Sequence, residues 1–173
     1  MQSDFMNRAI ELAKKAASLG EVPVGAVIVK NGKIIAEGYN QREQKNNALS
    51  HAEIEAINNA CRKLNDWRLE GCTIYVTLEP CFMCAGAIIN ARIKEVVFGA
   101  YDLNMGCMDS VINTANLPFS ADISVYGGIK EAECKTLLTE FFKNKRYKTR
   151  RIRFKPYSPC EFILQTNFAS CFL

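Results

Sequence analysis

Thr73-Ile74-Tyr75-Val76-Thr77-Leu78-Glu79-Pro80-Cys81-Phe82-Met83-Cys84-Ala85-Gly86-Ala87-Ile88-Ile89-Asn90-Ala91 is the stretch from which the fold is read. Residues 73–78 are short, largely apolar and rich in β-branched and aromatic side chains, the pattern of a buried strand. Pro80 lacks a backbone donor, which costs nothing where a helix begins. A helix is therefore expected over residues 81–91, and the run Glu95-Val96-Val97-Phe98-Gly99 then reads as another strand.

The neighbouring segments extend this alternation. Residues 4–19 carry Phe5, Met6, Ala9, Leu12, Ala13 and Ala16 at helical spacing, with Ser3 as the candidate cap and Gly20 as the stop. Two β-rich runs, 24–29 and 33–39, flank Asn31-Gly32, the strongest short-range hairpin signal. Residues 40–49 are polar and read as a loop, and a helix is expected from Ser50 or His51 to about Leu64. A strand near 123–126 leads into a helix over about 130–145. Five strands alternating with helices after an initial hairpin give an α/β fold, a mixed sheet with helices on both faces. No repeat or linker divides the chain. Residues 1–155 are expected to form one domain, and 156–173, apolar and broken by Pro156 and Pro159, an extension of unknown role.

Composition excludes several classes. At 49% hydrophobic and 23% charged, the 173 residues are those of an ordinary globular protein. Asp4 and Glu11 interrupt the first twenty residues, which is not the pattern of a signal peptide, and no run reaches the roughly 20 apolar residues of a membrane span. Eight cysteines without an export signal point to reduced thiols in the cytoplasm, with Cys61, Cys72, Cys107 and Cys134 as small core residues. The charge is concentrated. Of 22 basic residues, eight lie between Lys143 and Lys155 with no acid among them, so the rest of the chain holds 14 against 18 acidic residues. Such a stretch suits a polyanion, or else complements the end of a helix.

The one histidine of the chain, His51, opens Ser50-His51-Ala52-Glu53, thirty positions before Cys81-Phe82-Met83-Cys84. One imidazole and two thiols form a ligand set that zinc favours. Cysteines three apart at a helix start share its first turn, where the dipole and unpaired amides favour thiolate. Three protein ligands leave a position for water, and the nearby Glu53 could move its protons. Ser50 and Glu53 also fit a capping box, and Cys81-x-x-Cys84 alone would fit a redox pair.

The pattern H-x-E…P-C-x-x-C is the signature of zinc-dependent nucleobase and nucleoside deaminases. Gly20-Glu21-Val22-Pro23-Val24-Gly25-Ala26-Val27, Glu37-Gly38-Tyr39-Asn40, His51-Ala52-Glu53-Ile54, Thr77 to Ala87 and Val97-Phe98-Gly99-Ala100 add more specific likeness. Together they resemble the TadA-type tRNA-specific adenosine deaminases of the cytidine/deoxycytidylate deaminase superfamily. The resemblance implies a three-layer α/β/α cytidine-deaminase-like fold on a central mixed five-stranded sheet. It implies hydrolytic conversion of adenosine to inosine at the wobble position of a tRNA anticodon stem-loop, by a cytoplasmic homodimer with one Zn²⁺ per subunit. His51, Cys81 and Cys84 would hold the zinc, which activates water, and Glu53 would shuttle protons. Asn40 would hydrogen-bond the base, while Val22, Pro23 and the Ala52 backbone shape the pocket. Phe142, Lys143, Lys145 and Arg146 would meet the anticodon loop. A small-molecule deaminase and a non-catalytic zinc-stabilised RNA-binding module are the rival readings.

Overall fold

Asn31 and Gly32 both take positive φ, 50° and 69°, the pair of left-handed residues that a two-residue hairpin turn requires. They join β1 (Gly25–Lys30) to β2 (Lys33–Tyr39), with Lys30 paired directly to Lys33. Further along, Ile28 pairs with Ala36 but Val29 with Ile34. Ile35 is thus the extra residue of a bulge that bends this edge strand. The computed structural model describes residues 2–118 and 123–144.

Three more strands, β3 (Cys72–Leu78), β4 (Glu95–Ala100) and β5 (Ser124–Tyr126), complete one five-stranded sheet in the order β2-β1-β3-β4-β5. β1 is antiparallel to β2 and β3, whereas β3, β4 and β5 run parallel, so the sheet is mixed as expected. Side chains alternate between two cores. Ala26, Ile28, Ile74, Val76, Val96 and Phe98 face one, and Val27, Val29, Tyr75 and Val97 face the other. A sheet buried on both faces needs a helical layer on each.

Those layers come from α1 (Gln2–Ser18), α3 (Ala52–Leu64), α4 (Phe82–Asn90) and α5 (Glu131–Asn144). α1 sets Met6, Ala9, Ile10 and Leu12 against one face, where Cys134 of α5 joins them. α3 and α4 cover the other with Ala52, Ala56, Ala60, Ala85 and Ile88. Each fully buried Ile or Phe in these layers contributes roughly 1.5–3 kcal/mol relative to exposure. Cys72, Cys107 and Cys134 are buried and Cys61 is half-buried, all as free thiols. Among the described residues no helix is long and apolar enough to cross a membrane.

Three local expectations change. Ser3 lies inside α1 and does not cap it. The segment read as loop contains one helical turn, α2 (Arg42–Lys45). It buries none of its own residues, so it carries no apolar period to be read. The third concerns the start of α3 and is described with the site. Residues 156–173, and all of the basic stretch after Asn144, lie outside the described residues.

Gly38 decides how closely α3 approaches the sheet. A methyl group there would collide with the Ala52 carbonyl and the Ala56 amide, both backbone atoms. Gly38→Ala should therefore push back the helix that carries Glu53, lowering stability by about 1–3 kcal/mol and reducing activity. Thermal melting and turnover check this, and a variant matching the parent in both would contradict it.

Candidate active site

Two helix starts meet at the C-terminal end of β3. His51 is the N-cap of α3 and Cys81 that of α4, both with extended backbone. Cys84 lies one turn into α4 and is fully buried. His51 Nδ1 stands 3.7 Å from Cys81 Sγ and 3.5 Å from Cys84 Sγ, and the three ligand atoms lie within 4.8 Å of one another. Tetrahedral zinc, with bonds of about 2.3 Å to sulfur and 2.0–2.1 Å to nitrogen, sets N and S about 3.5 Å apart. The trio fits that ion. Among the described residues the group ends at three, which is the protein share of a catalytic zinc site rather than a closed structural one.

The capping box is not formed. His51 rather than Ser50 caps α3, and among the described residues the buried Ser50 hydroxyl has no hydrogen-bond partner. The Glu53 carboxyl lines the cleft beside His51 and Cys81 instead. It is 3% exposed, and burial pushes its pKa up to about 6. Within the trio the hydrogen bond from Cys84 holds Cys81 down at about 4. The same bond, together with burial, drives Cys84 well above the thiol range. His51 is raised by its hydrogen bond to Cys81.

The cleft holds about 230 Å³ and is lined by Val22, Val24, Asn40, Arg42, Ala52, Leu78, Asp102 and Met105 as well as by His51, Glu53 and Cys81. That is below the roughly 300–1,000 Å³ of sites for drug-sized molecules, and it is the scale of one heterocycle. A wider groove of about 690 Å³ shares Val22, Leu78, Asp102 and Met105 with it and runs to Lys135, Leu138 and Phe142 on α5.

A second buried acid shapes this wall. Glu79 accepts hydrogen bonds from the backbone amides of Asp102 (3.1 Å), Met108 (3.1 Å), Asp109 (2.8 Å) and Ser110 (2.9 Å), and from the Ser110 hydroxyl. Burial raises its pKa, but these bonds outweigh it and hold the carboxyl below its ordinary value. One side chain at the end of β3 thus organises the loop that supplies Asp102 and Met105.

Over residues 1–146 the chain matches the MafB19-like deaminase family. A tRNA-specific adenosine deaminase of Bacillus subtilis (strain 168) is 47% identical to it over 150 residues, 86% of this chain and 93% of that one. The chain belongs to the tRNA-specific adenosine deaminase family. It is accordingly an enzyme, a hydrolase acting on carbon–nitrogen bonds. A solved structure from work on A-to-I editing by tRNA:A34 deaminases at the wobble position is 40% identical, with a TM-score of 0.75, over 78% of this chain and 99% of that one. A guanine deaminase of Bacillus subtilis is 32% identical with a TM-score of 0.55, over 100% and 98%. The mixed sheet between helical layers is the cytidine-deaminase-like fold of these proteins.

Within this tRNA-specific adenosine deaminase family member, Asn40, Val22 and Ala52 face the cleft. Pro23 is buried between Val22 and Val24 and is not part of the lining. Phe142 and Lys143 are exposed on α5, with Phe142 at the far end of the groove. Lys145 and Arg146 lie outside the described residues. Sequence reading missed Arg42, Glu79, Asp102 and Met105. Only Glu79 had a signal, its place next to Pro80-Cys81.

Proposed function

We propose that this deaminase converts adenosine to inosine at position 34 of a tRNA anticodon, as a cytoplasmic homodimer with one zinc per subunit. The observation that carries the reading is a three-ligand metal trio beside a buried carboxyl, in a one-base cleft of a chain 47% identical to a tRNA-specific adenosine deaminase. Residues 1–155 are read as the catalytic domain, with 156–173 as an extension.

His51 through Nδ1, Cys81 and Cys84 would hold the ion. Bound zinc supplies Lewis acidity that makes water a nucleophile near neutral pH. Glu53 takes a proton from the attacking water and passes it to N1 of adenine. It then helps the amino group at C6 leave as ammonia, so that water and adenosine become inosine and ammonia. Asn40 hydrogen-bonds the base, while Val22 and the Ala52 backbone shape its pocket and Pro23 stiffens the backbone behind Val22. A single-stranded anticodon loop releases its base at little cost in stacking. The groove from the cleft to Phe142 supports a path for flanking nucleotides, and Lys143, Lys145 and Arg146, which follow Phe142 in sequence, are assigned to the anticodon loop. Leu49, Phe82, Leu103 and Met105 stand exposed on the segments framing the cleft, which supports subunit pairing on that side.

The test is incubation with an anticodon stem-loop carrying adenosine at position 34, against free adenine and free guanine, followed by nucleoside analysis. Inosine from the stem-loop is expected. Xanthine from guanine with no inosine would move the reading to a guanine deaminase. Binding should also depend on salt. If about four of the eight C-terminal cations meet phosphate, log K against log[salt] should have a slope of roughly −3. A flat response would remove the RNA contact assigned to that stretch.

A further inference from the structure

Glu21 has no exposed surface, and among the described residues no ion pair reaches it. A buried acid with no cation is costly unless its hydrogen bonds are well made. Both oxygens are engaged. Asn40 Nδ2 donates to Oε2 at 3.1 Å, and the backbone N–H of Gln44 donates to Oε1 at 2.8 Å. Asn40 lines the cleft, and Gln44 belongs to α2, the turn that places Arg42 at the rim.

We propose that Glu21 is the positioning residue for base recognition, fixing the orientation of the Asn40 amide and docking α2 beside it. The inference rests on the reading of Asn40 as the base contact. The Asn40 backbone is already anchored, its N–H donating to the Val24 carbonyl at 3.0 Å. Rotation of the side-chain amide is the freedom left. Because the Glu21 oxygens accept, Asn40 turns its NH₂ group toward them. One N–H and the carbonyl oxygen are left for the cleft, and that N–H suits a ring-nitrogen acceptor such as adenine N3 or N7.

Glutamine at position 21 would reverse this pattern. Its amide has one oxygen for two donors. The Gln44 N–H is fixed in the backbone and claims that oxygen, so the new NH₂ group faces Asn40. Asn40 then flips to offer its carbonyl, and the hydrogen-bond pattern presented to the base is inverted. A change of one heavy atom, far from the metal trio in bonding terms, thereby reaches the substrate.

The experiment compares the zinc-loaded parent chain with Glu21→Gln, Asn40→Ala and the pair, using the adenosine-34 stem-loop. Glu21→Gln should lower kcat/KM by roughly ten- to hundredfold while keeping one zinc per chain and an unchanged melting temperature. In the Asn40→Ala background the same change should have no further effect. Parental activity in Glu21→Gln, or an equal loss with and without the Asn40 amide, would overturn the proposal. Should Glu21→Gln not fold, Glu21→Asp takes its place, its shorter side chain unable to reach both donors, and the same non-additivity is expected. A parent chain that forms no inosine would sink the functional reading itself, and the role of Glu21 with it. An active parent with additive losses would sink only the role of Glu21.

Discussion

Glu53→Gln is expected to bind one zinc per chain as the parent does and to form inosine about 10²- to 10⁴-fold more slowly. Glu53 is not a member of the metal trio, so zinc content should not change. The amide matches the carboxyl in shape, so packing at the start of α3 is kept. What it cannot do is accept a proton from water and return it to N1. The carboxyl is suited to that task by burial, which raises it to about 6 and leaves it able both to take and to release a proton near neutral pH. Stability provides an independent check in the metal-free protein. A carboxyl raised in the folded state favours folding when protonated, an advantage complete below its ordinary 4.5 and lost as the pH climbs through about 6. Glu53→Gln has no such loss, so it should gain stability relative to the parent between pH 4 and pH 7. Inductively coupled plasma analysis for zinc, single-turnover inosine formation and melting at the two pH values test the three statements. Near-parental turnover would remove Glu53 from the chemistry, and loss of zinc would make it a metal-site residue instead.

How far this site could be read beforehand follows from the range of its interactions. His51, Cys81 and Cys84 sit at helix starts, and a helix start is announced locally by Pro80 and by the onset of apolar spacing. The Asn31-Gly32 hairpin was equally local, since its two left-handed residues are adjacent. Ser50 shows the limit of local reading. Ser50-x-x-Glu53 fits a capping box, yet the Glu53 carboxyl meets Cys84 of another helix, and the box is not formed. Glu21 had no comparable signal, and Glu79 only its place next to Pro80-Cys81. An acid buried among backbone amides is written with the same letter as an acid in solvent. Its partners, Gln44 in one case and Asp102 to Ser110 in the other, lie more than twenty residues away. The four-residue α2 was missed for the same reason. It is held by the distant Glu21 carboxyl and not by a pattern of its own.

Cys84→Ala should abolish zinc binding and turnover together, which separates the metal from the packing around it. Cys84 is fully buried in the first turn of α4, but cysteine to alanine removes a single heavy atom, so the metal-free variant should melt close to the metal-free parent. The difference should emerge when zinc is added. Free zinc at about 1,000 times its Kd stabilises the parent by about 4 kcal/mol, and a variant left with His51 and Cys81 alone should gain almost none of that. Proton release provides the second readout. In the metal-free trio Cys81 is already a thiolate at neutral pH, whereas Cys84 keeps its proton because it donates to Cys81 and is buried. Zinc must expel that proton to bind both sulfurs, so affinity should rise about tenfold per pH unit for each proton released. His51, also raised by its contact with Cys81, adds to the slope on the acid side. Zinc affinities measured by chelator competition at pH 6 and pH 8 should therefore differ by about a hundredfold or more. A pH-independent affinity would mean that the ion does not displace the Cys84 proton, and a Cys84→Ala variant that retains stoichiometric zinc and activity would remove Cys84 from the metal site altogether.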